Sequence, residues 1–161
     1  MKREWPADWS ERVRGKDCPM CAEGRPDDIR GTMRIFAGRV SDAYLVRSNV
    51  GQRGYSVVIW RGRHVSDPTE LSKDEATAYF DEVLRVARAI ERKYKPIKMN
   101  FEMLGNSLPH LHTHLVPRYL GDGEPGHPAH FMRIDMQDEP KLPEDEYVRD
   151  VTALRELLLS V

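Results

Sequence analysis

The run His110-Leu111-His112-Thr113-His114-Leu115-Val116 constrains this chain more than any other feature, because three imidazoles at every second position can share one face of an extended strand. Leu111, Thr113 and Leu115 then take the opposite face. Same-face neighbours stand roughly 6.5–7 Å apart along a strand, a row that suits an elongated charged group. Imidazole titrates nearest neutral pH and serves as base, nucleophile or metal ligand, so the row is chemically loaded. A surface strand that is merely rich in His is the plain alternative. Convergence of all three rings on one catalytic metal is disfavoured, since successive rings along a flat strand diverge.

The 161 residues are enough for one sizeable core, and one compact domain with tails is the expectation. Lys and Arg number 25 against 26 Asp and Glu, so the net charge of −1 provides no broad basic surface for nucleic acid, although a local phosphate pocket stays open. No stretch approaches the roughly 20 apolar residues that span a bilayer, and the first residues lack the apolar core of a signal peptide, so no membrane partner and a cytoplasmic location are expected. Two cysteines, Cys18 and Cys21, are too few and too close for the disulfide framework of a secreted domain.

Residues 1–30 read as a polar, irregular arm broken by Pro6, Pro19, Gly24 and Pro26. Short β-like runs follow over 33–37, 43–47 and 55–61, punctuated by Gly51, Gly54 and Gly62. Ser72-Lys73-Asp74-Glu75 has the form of a capping box, and a helix is expected over 72–94. Tyr79, Phe80, Val83, Val86, Ala87, Ile90 and Tyr94 line its apolar face, and Pro96 ends it. Residues 97–102 and 110–117 read as two more strands. The stretch 121–143 is rich in Pro, Gly and acids, and helical periodicity returns over 144–159. The expected fold is α+β: an antiparallel sheet of about five strands with one long packed helix and a C-terminal helix. The expected organisation is an arm over 1–30, a catalytic domain over 31–120, and a loop and helix over 121–161 packed on the same domain.

The triad, the following Pro117-Arg118-Tyr119, the strand leading to His64, the amphipathic helix, Asn100 on the next strand and Ser107 before the triad occur in one order. In that order they resemble the histidine triad superfamily over roughly residues 18–120. The resemblance implies a nucleotidyl hydrolase or transferase acting at the α-phosphate of a nucleoside phosphoramidate or dinucleoside polyphosphate, with an AMP-containing substrate, no organic cofactor and a homodimeric state. Within it, His112 would attack phosphorus, the carbonyl of His110 would hold its other nitrogen as N–H, and His114 would donate to the phosphate or leaving group. Asn100 and Ser107 would add neutral donors around the same oxygens. A phosphorylase, or a nucleotide-binding protein with little turnover, are the alternatives that the same residues allow.

Cys18-Pro19-Met20-Cys21 has the spacing that lets two thiolates reach one zinc ion, but by itself the pair could equally be free or redox-active thiols. By the resemblance, His64 and His110 would complete a structural zinc site that ties the arm to the sheet. The chain departs from the family pattern in three places. Gly54-Tyr55 stands where Gly-His is usual, so one supporting histidine is missing. The ribose-contacting position aligns with Arg47, with Asn49 as the substitute after a small shift, and Gly105-Asn106-Ser107 replaces the commoner Gly-Gln-Ser. Arg47, Arg61, Arg63 and Arg118 are candidates for further phosphates, although exposed arginines are usually only solvated. His127-x-x-His130 reads as a surface loop rather than a metal site, and Trp5, Trp9 and Trp60 as packing residues.

Overall fold

The computed structural model describes residues 4–47, 52–122, 125–129 and 141–160. Two short helical turns, α1 (Trp9–Val13) and α2 (Pro19–Ala22), are followed by strands β1 (Asp28–Ile29), β2 (Thr32–Ala37), β3 (Ser41–Leu45) and β4 (Ser56–Trp60). The long helix α3 (Lys73–Tyr94) comes next, then β5 (Lys98–Glu102), β6 (His112–Arg118) and the helix α4 (Glu144–Leu159). The strands form one sheet in the order β1-β2-β3-β4-β6-β5, with every described neighbour antiparallel. The α+β class, the long helix and the C-terminal helix are as expected from the sequence.

A sixth strand joins the expected five. It is β1, whose two residues pair with β2 across the turn Arg30-Gly31. Both turn residues have positive φ, 52° and 83°, as a two-residue hairpin loop demands of its central pair. Two residues are too few for alternation to reveal a strand. The arm also differs from an irregular segment, since it makes two helical turns before reaching the sheet.

Local chemistry explains α3. The Ser72 N–H donates to the Glu75 carboxylate at 2.8 Å, and the Glu75 N–H donates to Ser72 Oγ at 3.3 Å, so two free backbone donors are satisfied reciprocally. At the other end Lys95 adopts the left-handed conformation and Pro96 stops the ladder. Ala78, Tyr79, Val83, Val86, Ala87, Ala89 and Ile90 are buried, whereas Phe80 is part of the surface.

The two faces of the sheet have different fates. Ala43, Leu45, Val58, Trp60, Met99 and Leu115 pack with α3 and with Tyr147, Val151, Leu154 and Leu158 of α4 into the main core. The other face carries His112 and His114. Buried tyrosines lock the helices to the sheet: the Tyr79 hydroxyl donates to the Val58 carbonyl at 3.1 Å and lies 2.8 Å from Thr113 Oγ1. The Tyr147 hydroxyl receives the Met33 N–H at 2.7 Å and donates to the Leu45 carbonyl at 2.6 Å, so one oxygen joins α4 to β2 and β3. Tyr147→Phe keeps the ring but leaves those two backbone groups without this partner. Urea unfolding should show a loss of about 1–3 kcal/mol.

Candidate active site and metal centre

β6 lies between β4 and β5, and the register decides what surrounds each histidine. His112 sits opposite Ile59, and His114 opposite Val57 on one side and Glu102 on the other. Directly paired residues share a face, so this face also carries Asn100 across from Val116 and, through β3, Asp42 and Tyr44.

The His112 ring has an assigned orientation. Its Nδ1 is 2.6 Å from the His110 carbonyl, which can only accept, so Nδ1 carries the proton and Nε2 the lone pair. Among the described residues no protein donor bonds that Nε2. The His112 and His114 rings meet edge to face with centroids 4.8 Å apart. His114 Nδ1 lies 2.7 Å from the Tyr55 hydroxyl, and their rings are nearly parallel at 5.9 Å. Burial lowers the pKa of His112, and burial followed by the neighbouring His112 pushes His114 down to about 4. Both rings are therefore neutral at pH 7, the form that can present a lone pair or an N–H to an anion.

His110 is engaged at every polar atom of its ring. Its Nε2–H donates to the Trp60 carbonyl at 2.8 Å, and its Nδ1 faces Cys18 Sγ at 3.4 Å and Cys21 Sγ at 3.5 Å. His64 mirrors it, with Nε2 donating to the Val13 carbonyl at 3.1 Å and Nδ1 at 3.4 Å from Cys21 Sγ. Since each carbonyl fixes the proton on Nε2, both Nδ1 lone pairs point into the cluster. The four ligand atoms of Cys18, Cys21, His64 and His110 all lie within 4.8 Å of one another, a grouping that could hold a metal ion. Burial, then the Cys18 thiol, pushes the Cys21 thiol up to about 11 against the opposing pull of the Arg61 guanidinium. Gly15, at φ +91°, lets the arm pass over His64: a Cβ there would stand 2.8 Å from the imidazole.

A second clasp holds the arm. The fully buried Asp42 carboxylate accepts from Arg25 at 2.7 and 3.0 Å and from Arg61 Nε at 3.0 Å. Arg61 also donates to the Met20 carbonyl at 2.8 Å and to the Tyr44 hydroxyl at 3.1 Å. The Tyr44 hydroxyl in turn donates to the Pro26 carbonyl at 2.8 Å. Removing one partner of a buried pair like this strands a charge, so the arm and sheet are tied firmly at this end.

The remaining candidates from the sequence fall as follows. The Asn100 amide oxygen accepts from Arg118 at 2.9 Å, and the register puts Asn100 across from Val116 and Glu102 across from His114. Ser107 is exposed in the loop before the triad and lines a cleft of about 290 Å³ with Arg12, Lys16, Cys18 and Pro19 of the arm. Glu102, Asn100, Arg118 and residues 125–128 line a separate open groove of about 510 Å³. Asn49 and His130 lie outside the described residues. Arg47 binds the Leu142 carbonyl and Glu144, Arg63 the Glu70 carbonyl and Glu75, and Arg118 the Asp122 carboxylate, Asn100 and the His127 carbonyl. Trp60 is in the core, and Trp5 rests on Trp9. The sequence reading missed two residues. Tyr55 registered only as an absent histidine, although Tyr55, Val57 and Ile59 alternate onto the histidine face. Asp42 carried no local signal, because its arginine partners are 17 and 19 residues away.

Residues 42–121 match the HIT domain family model, so this stretch of the chain, which holds all three histidines of the triad, is a HIT domain. It is 36% identical over 77 residues to the Protein hit of Bacillus subtilis, and that match covers 44% of this chain and 52% of the relative. It is 31% identical over 71 residues to the bis(5'-adenosyl)-triphosphatase of Saccharomyces cerevisiae, covering 41% of this chain and 34% of that protein. The matches thus span about half and about a third of those relatives' lengths. Among solved structures, a histidine triad protein from Bradyrhizobium japonicum superposes with a TM-score of 0.68 at 22% identity, covering 79% of this chain and 90% of that one. A Zn-bound histidine triad family protein from Mycobacterium smegmatis gives a TM-score of 0.58 at 19% identity, covering 92% and 96%. Among the described residues no helix is long and apolar enough to cross a membrane.

The depressed His114 pKa sets a direction for acid stability. Between the ordinary histidine value near 6.5 and about 4, the unfolded chain binds a proton that folded His114 refuses, so this residue makes folding less favourable as pH falls through that window. Denaturant titrations of the parent and of His114→Gln should diverge from pH 6.5 to 4, the parent losing on the order of 1–3 kcal/mol more.

Proposed function

We propose that this protein is a nucleotidyl hydrolase or transferase that cleaves at the α-phosphate of a nucleoside phosphoramidate or dinucleoside polyphosphate through a nucleotidyl-His112 intermediate. The observation that carries this reading is the 2.6 Å contact between His112 Nδ1 and the His110 carbonyl, which leaves Nε2 as a lone pair on a ring kept neutral by burial. That lone pair forms the bond to phosphorus while the leaving group departs with the electrons of its own bond to phosphorus. Water then attacks the same phosphorus and the imidazole leaves, so two easier steps replace one difficult one. His114 offers a neutral donor to the phosphate or the departing atom, and Ser107 and Asn100, each in the wall of a separate cleft, would supply further neutral donors. Likeness to a bis(5'-adenosyl)-triphosphatase supports an AMP-containing substrate.

The proposal extends to a structural zinc held by Cys18, Cys21, His64 and His110. Zn–S bonds of about 2.3 Å and Zn–N bonds of about 2.0 Å in a tetrahedron set S-to-N edges near 3.5 Å. The three closest thiol–imidazole distances, 3.4, 3.4 and 3.5 Å, fit that figure. When bound, the ion keeps both thiols as thiolates and cross-links the arm to the strand bearing His112. The division into an arm over 1–30, a catalytic domain over 31–120 and a C-terminal loop and helix over 121–161 packed on the same domain belongs to the same proposal, as does a homodimer. In support of the dimer, β5 is an edge strand bearing exposed Phe101, with exposed Met103 and Leu104 just beyond it.

Incubation with a panel of nucleoside phosphoramidates and dinucleoside polyphosphates, quenched in base, should yield a nucleotidyl adduct on the peptide containing His112. His112→Asn should abolish the adduct and lower turnover by ~1,000-fold or more. Near-parental turnover of that variant would end the reading, and a phosphorolysed product formed only with inorganic phosphate would redirect it to a phosphorylase. Metal analysis should find one zinc per chain, lost in the double variant Cys18→Ser with Cys21→Ser. At zinc a hundredfold above its dissociation constant, the parent should be stabilised by about 2–3 kcal/mol over its chelated form.

A further inference from the structure

We infer that Tyr55 is a positioning residue for His114: its hydroxyl donates to His114 Nδ1 and so holds that ring as the tautomer with the proton on Nε2, facing the substrate. This rests on the reading of the triad as a nucleotidyl-transfer site and names a contact within it.

Three observations carry it. The Tyr55 hydroxyl and His114 Nδ1 are 2.7 Å apart, within hydrogen-bond reach, and burial keeps the phenol protonated so that it has an O–H to give. The rings lie 19° from parallel, so the hydroxyl approaches His114 alongside the ring it must orient. Tyr55 itself is held: it is 6% exposed and packs with Val116, Val57 and Ala129 in a small apolar cluster on the histidine face.

Charge reinforces the arrangement. Burial raises the Tyr55 pKa, and burial lowers that of His114 to about 4, so at neutral pH the pair is a neutral phenol and a neutral imidazole. An imidazole with its lone pair on Nδ1 engaged by the phenol must carry its proton on Nε2. The groups around His114 are His112 on its own strand, Tyr55 beside β4 and Glu102 on β5. The His110 carbonyl and the Tyr55 hydroxyl therefore act oppositely on adjacent rings. One forces Nε2 of His112 to be a lone pair, and the other forces Nε2 of His114 to be an N–H. Nucleophile and donor are distinguished by what each Nδ1 meets. No proton leaves either ring in this role, because Tyr55 acts by hydrogen bonding alone.

The test uses the full chain with its histidines labelled with nitrogen-15. Long-range proton–nitrogen correlation at pH 7.5, assigned with His114→Gln, should show His114 as the Nε2–H tautomer. Tyr55→Phe, which keeps the ring and its packing, should convert that signal to a mixture of tautomers with the fold intact by thermal melting. In turnover of a nucleoside phosphoramidate, Tyr55→Phe should lower kcat by ~10- to 100-fold with KM changed less than about twofold, the split expected for a donor that acts on developing charge. A parent spectrum showing Nδ1–H, or a Tyr55→Phe spectrum identical to the parent, overturns the inference whatever the activity. Loss of the His112 adduct in the parent would instead remove the nucleotidyl reading and with it the catalytic part of the inference, while the tautomer measurement would still decide the pairing.

Discussion

His110 is used three times, and the rest of the site depends on it. Its ring nitrogen Nε2 is bonded to the Trp60 carbonyl, which attaches the start of the histidine row to β4. Its Nδ1 faces the two thiols, which attaches the same residue to the arm. Its carbonyl accepts the Nδ1–H of His112 and thereby sets which nitrogen of that ring is available. A single buried residue thus couples the sheet, the arm and the proposed nucleophile. With both ring nitrogens occupied, its side chain is committed to the arm and to β4.

The arm is held in the same spirit at two points some distance apart in sequence. The thiol–imidazole cluster fastens residues 18 and 21, and the Asp42 carboxylate fastens Arg25 together with Arg61. A buried carboxylate is costly to desolvate and is kept neutralised by guanidinium forks on both sides. The arginines therefore serve the fold. Arg47, Arg61, Arg63 and Arg118 all end on protein acceptors, so the positive charge that the sequence offers for extra phosphates is already committed among the described residues.

Neutrality is the other organising property of the row. Burial lowers the pKa of all three histidines, and the only carboxylate directly across from His114, Glu102, has its own pKa raised by burial. The ring that carries the lone pair and the ring that carries a donor are then distinguished by hydrogen bonds rather than by charge. That division is consistent with an anionic reactant, which brings its own charge and meets oriented dipoles rather than a competing ion pair.

Several features were written locally and could be read from the chain. A period of two in the histidine run put the His112 and His114 rings on one face, the Ser72–Glu75 box marked the start of the long helix, and the spacing of Cys18 and Cys21 allowed a shared ligand site. These signals survive because each depends on residues a few positions apart, whose geometry the backbone dictates. What the tertiary structure alone decided lies across strands. Tyr55 and His114 are 59 residues apart, Cys18 and His110 are 92 apart, and Asp42 meets Arg25 and Arg61 from opposite directions in the chain. Those encounters follow from strand register and from how the arm folds back over the sheet, quantities set by the packing of a whole core and not by any local run of residues.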